Sequence, residues 1–324
     1  MEITFLGTSS GVPTRSRNVS SVALRLPQKS EVWLFDCGEG TQHQLLRSEV
    51  KISQIRRIFI THMHGDHIFG LMGLIASCGL AGTAQNIDLY GPEGLEEYLR
   101  ACSKYAYMDL FRRIRVHQVN PGIVYADGEF EVSCLRLKHR VPTHGYRIVE
   151  TNRPGKFNVA KAKALGIPSG PIYGQLKRGE TVILADGRRI CGQDLCEAAE
   201  VGRKIAYCTD TIFCDTAVEL AEDADLLIHE ATFAHQDAQL AFERLHSTST
   251  MAAQVALAAG VKQLILTHFS PRYAPGNAIS WNDLLQEAKA IFPHSRIAYD
   301  FFSYEIPRRR GTSLSEDKTK MLKY

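Results

Sequence analysis

Seven consecutive residues, Thr61-His62-Met63-His64-Gly65-Asp66-His67, follow directly on the apolar run Ile58-Phe59-Ile60. Three imidazoles and one carboxylate thus fall within six positions, on one turn after one strand. Imidazoles this close would repel on protonation, and burial without a cation would leave their donors unpaired. The chemistry that suits H-x-H-x-D-H is metal ligation. So many donors converge that one tetrahedral zinc cannot use them all, which points to two neighbouring cations sharing ligands. Further donors are expected where other apolar strands end, and four sequence positions qualify. His139 follows 134–138, Asp210 follows 205–209, His229 follows 226–228 and His268 follows 264–267. One histidine after a strand is ordinarily structural; recurrence at several strand ends builds a site.

The elements that must position these residues show in the hydrophobic pattern. Strands are expected at 2–6, 21–26, 32–36, 57–61, 87–90, 123–125 and 130–137, with helices at 41–47, 68–78 and 93–104. After a gap the pattern resumes with strands at 204–208, 226–229, 263–267 and 296–299, and helices at 216–221, 249–259 and 281–291. Strands alternating with helices predict an α/β class.

Composition narrows the rest. The 324 residues are 44% hydrophobic and 23% charged, enough for one large core or two small domains. No apolar run approaches the ~20 residues needed to cross a bilayer. The first residues, Met-Glu-Ile-Thr-Phe-Leu-Gly-Thr, lack a basic region and a long apolar stretch, so they read as a first strand rather than a secretory leader. Eight scattered cysteines form no C-x-x-C and suggest reduced thiols in a cytoplasmic protein. Net charge is only +3, so a nucleic-acid preference would have to come from local patches.

One such patch is the segment 151–189. It carries nine Gly or Pro residues and eight basic residues against two acidic ones. Little of it is expected to form a packed core. A basic, glycine-rich arm suits a phosphate backbone, and connections this long are often functional. The charged residues 308–324 are expected to form a disordered basic tail.

THMHGDH, with WLFDCGEGTQ upstream, resembles the metallo-β-lactamase superfamily. His229-Glu230-Ala231-Thr232-Phe233, His246-Ser247-Thr248 and Leu266-Thr267-His268-Phe269-Ser270 narrow the resemblance to the ribonuclease Z family, short form. The similarity spans roughly 1–307 as one catalytic domain. It implies an αβ/βα four-layer sandwich with 151–189 inserted as a flexible arm that grips tRNA. It also implies two zinc ions per subunit, one held by His62, His64 and His139, the other by Asp66, His67 and His268, with Asp210 bridging. His144 competes with His139 for its role, and Asp36 is expected to orient an imidazole.

The implied reaction is phosphodiester hydrolysis of precursor tRNA, cutting off the 3′ trailer after the discriminator base. Asp66 would accept the proton of the attacking water. His246 would protonate the leaving 3′-oxygen, aimed by Glu230. Arg15, Arg17 and Asn18 match a basic loop near the acceptor end, and Lys177 and Arg178 match the arm. Arg112, Arg113 and Arg115 form a basic cluster with no assigned role. Family members act as homodimers, and the same is expected here. The competing reading is a small-molecule phosphodiesterase of the same superfamily. Two departures from the family pattern stand out: Thr209 in place of the usual glycine before Asp210, and Thr250-Met251 where acidic or amide side chains are common.

Overall fold

The computed structural model describes residues 1–80, 86–107, 109–153, 155–197 and 199–310. The chain divides into two compact units. The first comprises Met1–Val149 and Lys204–Ile306; the second comprises Glu150–Arg203 and the chain from Pro307 onward.

Strands β1 (Glu2–Gly7), β2 (Ser21–Leu26), β3 (Glu31–Phe35), β4 (Ile55–Phe59), β5 (Ile87–Gly91) and β6 (Ile114–Gln118) open the chain. Next come β7 (Gly122–Ala126), β8 (Phe130–Leu137) and β9 (Thr143–Glu150). The second unit holds β10 (Thr181–Ile183), β11 (Arg189–Cys191) and β12 (Glu200–Val201). The first resumes with β13 (Lys204–Cys208), β14 (Leu226–Glu230), β15 (Leu264–Thr267), β16 (Ser295–Ile297) and β17 (Ser303–Glu305), and β18 (Arg309–Arg310) follows.

The first unit is built on two seven-stranded sheets, β17-β1-β2-β3-β4-β5-β6 and β16-β15-β14-β13-β9-β8-β7. Each contains a parallel run, β3 to β6 in one and β13 to β16 in the other. Parallel strands are covered on both faces, so successive side chains enter different cores. In β3, Trp33 and Phe35 join the core between the sheets, while Val32 and Leu34 face the helical layer outside. In β13, Ile205 and Tyr207 point inward and Ala206 and Cys208 outward. Helices Leu71–Leu80 and Leu95–Tyr105 pack on the first sheet, and Asp215–Ala221, Ser249–Ala258 and Trp281–Ile291 on the second. Two helical layers outside two sheets make the four-layer α/β sandwich that the family resemblance implies. The inner core is aromatic: the Phe59 ring lies 5.2 Å from Phe35, 5.8 Å from Trp33 and 4.9 Å from Tyr90.

Some elements went unread in the sequence. β6 alternates Arg115 and His117 with Ile114 and Val116, and β17 has three residues; both are edge strands, where short and polar sequences are favoured. The Arg115 of the unassigned basic cluster therefore belongs to an edge strand.

The second unit departs from expectation. It has its own small core of Ala162, Ile167, Leu176, Leu184 and Leu195. Helices Val159–Ala164 and Pro171–Lys177 and the β10–β11 hairpin build it. The glycines and prolines delimit these elements instead of forbidding them. Pro171 takes the first turn of its helix, and Gly166, at φ 70, stops the preceding one. Arg203 donates to Glu150 at 2.7 and 3.0 Å, and Arg308 donates to the same carboxylate at 2.9 Å. Residues 309–310 pair with β12, so the tail begins in a strand; 311–324 lie outside the described residues.

Candidate metal centre

The site sits where strands end, as open α/β sheets dictate. β4 runs into the 61–67 loop, β8 into His139, β13 into Asp210, β14 into Glu230 and β15 into His268. His62 Nε2 lies 3.0 Å from His64 Nδ1, and His139 Nε2 lies 3.3 Å from the same atom. Two ligands of one tetrahedral zinc, each about 2.0–2.1 Å from it, stand about 3.3 Å apart. On the other side, Asp66 Oδ2 lies 3.5 Å from His67 Nε2 and 3.4 Å from His268 Nε2. Asp210 divides its carboxylate between these groups. Its Oδ2 lies 3.5 Å from His62 and 3.8 Å from His139, its Oδ1 3.3 Å from His67 and 3.1 Å from His268.

The far sides of the imidazoles are as ordered as the near sides. His67 Nδ1 donates to Asp36 Oδ2 at 2.8 Å, and His139 Nδ1 to the Leu245 carbonyl at 2.9 Å. The Thr61 hydroxyl donates to Asp36 and accepts from His62 Nδ1 at 2.9 Å. Thr232 likewise donates to Glu230 Oε2 at 2.5 Å and accepts from His268 Nδ1 at 2.9 Å. Each bond places a proton on Nδ1 and turns Nε2 toward the cluster, the arrangement found behind metal-bound histidines. His64 is the exception, offering Nδ1 itself.

Electrostatics point the same way. Burial lowers the pKa of His62 and His139, and takes His64 to about 4, keeping these imidazoles neutral as ligation requires. Burial opposes charge on Asp66 and Asp210, yet their histidine neighbours outweigh it and hold both well below the usual carboxylate range. His67 is buried too, but Asp210, Asp36 and Asp66 raise its pKa well above the ordinary value. A proton there balances three carboxylates, and its buried Nε2 has no hydrogen-bond partner. A cation in front of Nε2 would take over that balancing role.

Backbone strain gathers here as well. Asp36, Asp210, Leu245 and His268 all adopt left-handed φ, between 50° and 60°. For residues with a Cβ this costs of order 1–3 kcal/mol each and persists where surrounding contacts dictate it.

Beside the cluster, His246 Nδ1 donates to Glu230 Oε1 at 2.9 Å. Burial alone would lower its pKa, but the Glu230 carboxylate raises it to about 9. Glu230 is fully buried, and Thr211 N donates to its Oε1 at 2.6 Å. His64, His139 and His246 open into a cavity of about 300 Å³ bordered by Phe233, Arg140, Arg244 and Arg272, a lining suited to a phosphate.

The structure thus brings together His62, His64, Asp66, His67, His139, Asp210 and His268, with Glu230 and His246 alongside. It separates others from the cluster. His144, the rival of His139, is buried and its backbone N–H donates to the Thr61 carbonyl. His229 is buried in β14 with Nδ1 bound to the Glu230 carbonyl. Neither joins a ligand group among the described residues. In the loop expected to meet RNA, Arg15 is exposed, but Arg17 is only 6% exposed and Asn18 donates its side-chain amide to the Glu39 carbonyl at 2.7 Å. Arg17 Nη1 and the Asn18 side-chain amide nitrogen thus each have partners within the protein. Lys177 and Arg178 are exposed in the second unit, and Arg178 pairs with Glu180. Sequence reasoning missed Thr61, Thr232, the Leu245 carbonyl and the three arginines; asking what accepts each Nδ1 proton would have flagged the two threonines beside His62 and Glu230.

Fold and site together define a metallo-β-lactamase-fold protein. Residues 197–269 match the beta-lactamase superfamily domain, and residues 1–149 match the family of the anti-Pycsar protein Apyc1. The ribonuclease Z of Gloeothece citriformis is 72% identical over 316 residues, 98% of this chain and 99% of that one. The ribonuclease Z of Rippkaea orientalis is 75% identical over 310 residues, 96% of this chain and 99% of that one. The crystal structure of human tRNase Z, short form, aligns with a TM-score of 0.69 at 32% identity, over 95% of this chain and all of that one. The chain belongs to the ribonuclease Z family.

Proposed function

We propose that this chain is a zinc-dependent endoribonuclease that removes the 3′ trailer from precursor tRNA. It cuts after the discriminator base, leaving a 3′-hydroxyl on the tRNA and a 5′-phosphate on the trailer. One observation carries the chemistry: the Asp210 carboxylate turns one oxygen to His62 and His139 and the other to His67 and His268, beside the Glu230–His246 pair. The full-length identity to ribonuclease Z relatives supports the substrate.

His62, His64 and His139 would hold one zinc, Asp66, His67 and His268 the other, and Asp210 both. Bound divalent cations supply Lewis acidity to phosphoryl oxygens and acidify water toward neutral pH. Asp66 accepts the proton of the attacking water. His246, with Nδ1–H donated to Glu230, presents Nε2–H to the departing 3′-oxygen. Arg140, Arg244 and Arg272 border the cavity where phosphate charge builds. The 151–189 arm, with Lys177 and Arg178, grips the tRNA body, and Arg15 contacts RNA from the first loop. The protein works as a cytoplasmic homodimer.

The test is cleavage of an end-labelled precursor tRNA by purified protein, with chelator and with added Zn²⁺, mapped to the nucleotide. A single metal-dependent cut after the discriminator base is expected. No cut, with bis(p-nitrophenyl) phosphate still hydrolysed, would move the assignment to a small-molecule phosphodiesterase.

A further inference from the structure

The loop 8–18 was expected to meet RNA, yet its most basic-looking feature is turned inward. Arg17 is 6% exposed, and its guanidinium stacks 4.0 Å over the Trp281 ring and 4.8 Å over Phe269. Its Nη1 donates to Thr8 Oγ1 and to the Ala298 carbonyl, both at 2.7 Å. Thr8 Oγ1 donates onward to Asp300 Oδ1 at 2.7 Å, and Asp300 Oδ2 accepts from Asn18 N at 2.7 Å and Gln44 Nε2 at 2.8 Å. The two ends of the loop, at Thr8 and at Arg17-Asn18, are thus tied to one partly buried network centred on Asp300.

The other side of the same loop touches the metal centre. Gly11 N donates to Asp66 Oδ2 at 2.8 Å. Phe269 N donates to Thr8 O at 2.9 Å, and Ser10 N to Phe269 O at 3.0 Å. Phe269 follows His268, whose backbone sits at φ 60. So one loop grips both an oxygen of Asp66 and the chain directly after His268.

We propose that Arg17 is a positioning residue, a buried latch that fixes the 8–18 loop so that Gly11 N–H aims Asp66 and the Thr8–Ser10 backbone holds the chain at His268. The inference rests on reading Asp66 and His268 as ligands of one zinc and Asp66 as proton acceptor. A phosphate contact must reach solvent, and turning Arg17 outward would abandon two hydrogen bonds and two aromatic faces. Arg15, exposed two residues earlier, is the cation this loop offers to RNA.

The test compares full-length Arg17→Met and Arg17→Lys with the unaltered protein after zinc loading. Three quantities are read: zinc retained after dialysis, turnover of precursor tRNA and of bis(p-nitrophenyl) phosphate, and the salt dependence of tRNA affinity. A displacement of about 1 Å at a reacting group costs roughly 10²-fold in rate. Arg17→Met should therefore lower kcat about 10²-fold on both substrates and lose part of its zinc, with tRNA affinity and its salt slope unchanged. Arg17→Lys, which keeps a donor for Thr8 and Ala298, should recover part of both. The inference is overturned if Arg17→Met weakens tRNA affinity with a salt slope shallower by about one while hydrolysing the small ester normally, the signature of a lost phosphate contact. It is overturned equally if turnover and zinc retention are both unchanged. If Arg17→Met does not fold, Thr8→Val breaks the same link from its other end and should likewise lower turnover of both substrates and release zinc; unchanged turnover and zinc retention would overturn the inference. Failure of the unaltered protein to cut tRNA would sink the proposed function, while zinc retention in the variants would still judge the latch.

Discussion

Asp36→Asn should weaken zinc binding without changing the shape of the site. The Asp36 side chain is fully buried, and its two oxygens serve different donors. Oδ1 accepts from Thr61 N at 2.8 Å and Thr61 Oγ1 at 3.0 Å; Oδ2 accepts from His67 Nδ1 at 2.8 Å and Tyr207 Oη at 3.1 Å. The Thr61 N–H has a fixed direction, so an asparagine must keep its carbonyl on that side. Its amide NH₂ then faces His67 Nδ1–H, donor against donor. The tyrosine can rotate its hydroxyl to accept, but the imidazole relieves the clash only by moving its proton to Nε2. That atom faces Asp210 at 3.3 Å and Asp66 at 3.5 Å, and a protonated Nε2 cannot ligate. Losing the group that fixes a ligating histidine typically costs 10–100-fold in metal affinity, or about 1.4–2.8 kcal/mol. Competition against a chromophoric chelator should show this shift, and cleavage should fall at limiting zinc and partly recover at excess. Tyr207→Phe, which removes a donor that does not control a tautomer, should stay within about twofold of the unaltered protein. Folded Asp36→Asn with undiminished zinc affinity would refute the tautomer argument.

Other outcomes follow from the same geometry. His246→Ala should lower turnover of precursor tRNA about 10²–10⁴-fold, and less for an ester with a good leaving group; an equal loss on both would assign His246 a structural role. Arg153 and Glu200 pair across the base of the second unit, so replacing 154–199 with a short turn should leave the first unit folded. That variant should raise KM for precursor tRNA by orders of magnitude and spare bis(p-nitrophenyl) phosphate; parallel loss of both activities would deny the arm its separate task. Burial opposes charge on Glu150, but Arg203 and Arg308 overcome it and lower its pKa. A lowered folded pKa stabilises above the unfolded value of about 4.3 and is lost as pH falls through the folded value. Hydrogen exchange at 150–153 and 200–203 should thus stay protected down to about pH 4 and loosen only below; loosening between pH 6 and 5 would contradict the pairing.

How much of this could be read without coordinates differs by element. Interior parallel strands announce themselves, because β3, β13 and β15 are buried on both faces and read as apolar runs. Edge strands β6 and β17 do not, since half-exposed residues carry no such run. The second unit misled for a different reason. Its Gly and Pro density suggested loop, yet Gly166 and Pro171 sit at helix ends, where their backbone preferences specify structure.

For the site, residue identity was legible and direction was not. Donors behind strands were legible locally, but the same rule also named His229, which the structure keeps apart from the cluster, and the ligand sets came from the family resemblance. Which nitrogen each histidine presents depends on partners distant in the chain: Asp36 for His67, Leu245 for His139, Thr232 for His268. Those partners are reached partly through left-handed backbone at Asp36, Asp210, Leu245 and His268, a conformation uncommon outside glycine that Asp and His adopt more readily than leucine. The strain is tolerable because each position is held by several bonds at once, as at Asp36 with its four donors. Arg17 shows the converse. The family resemblance placed it among the RNA contacts; its buried guanidinium lies over Trp281, more than 260 residues away in sequence. A cation near such a site is therefore informative about substrate only once its burial is known, and Arg15 and Arg17, two residues apart on one loop, fall on opposite sides of that test.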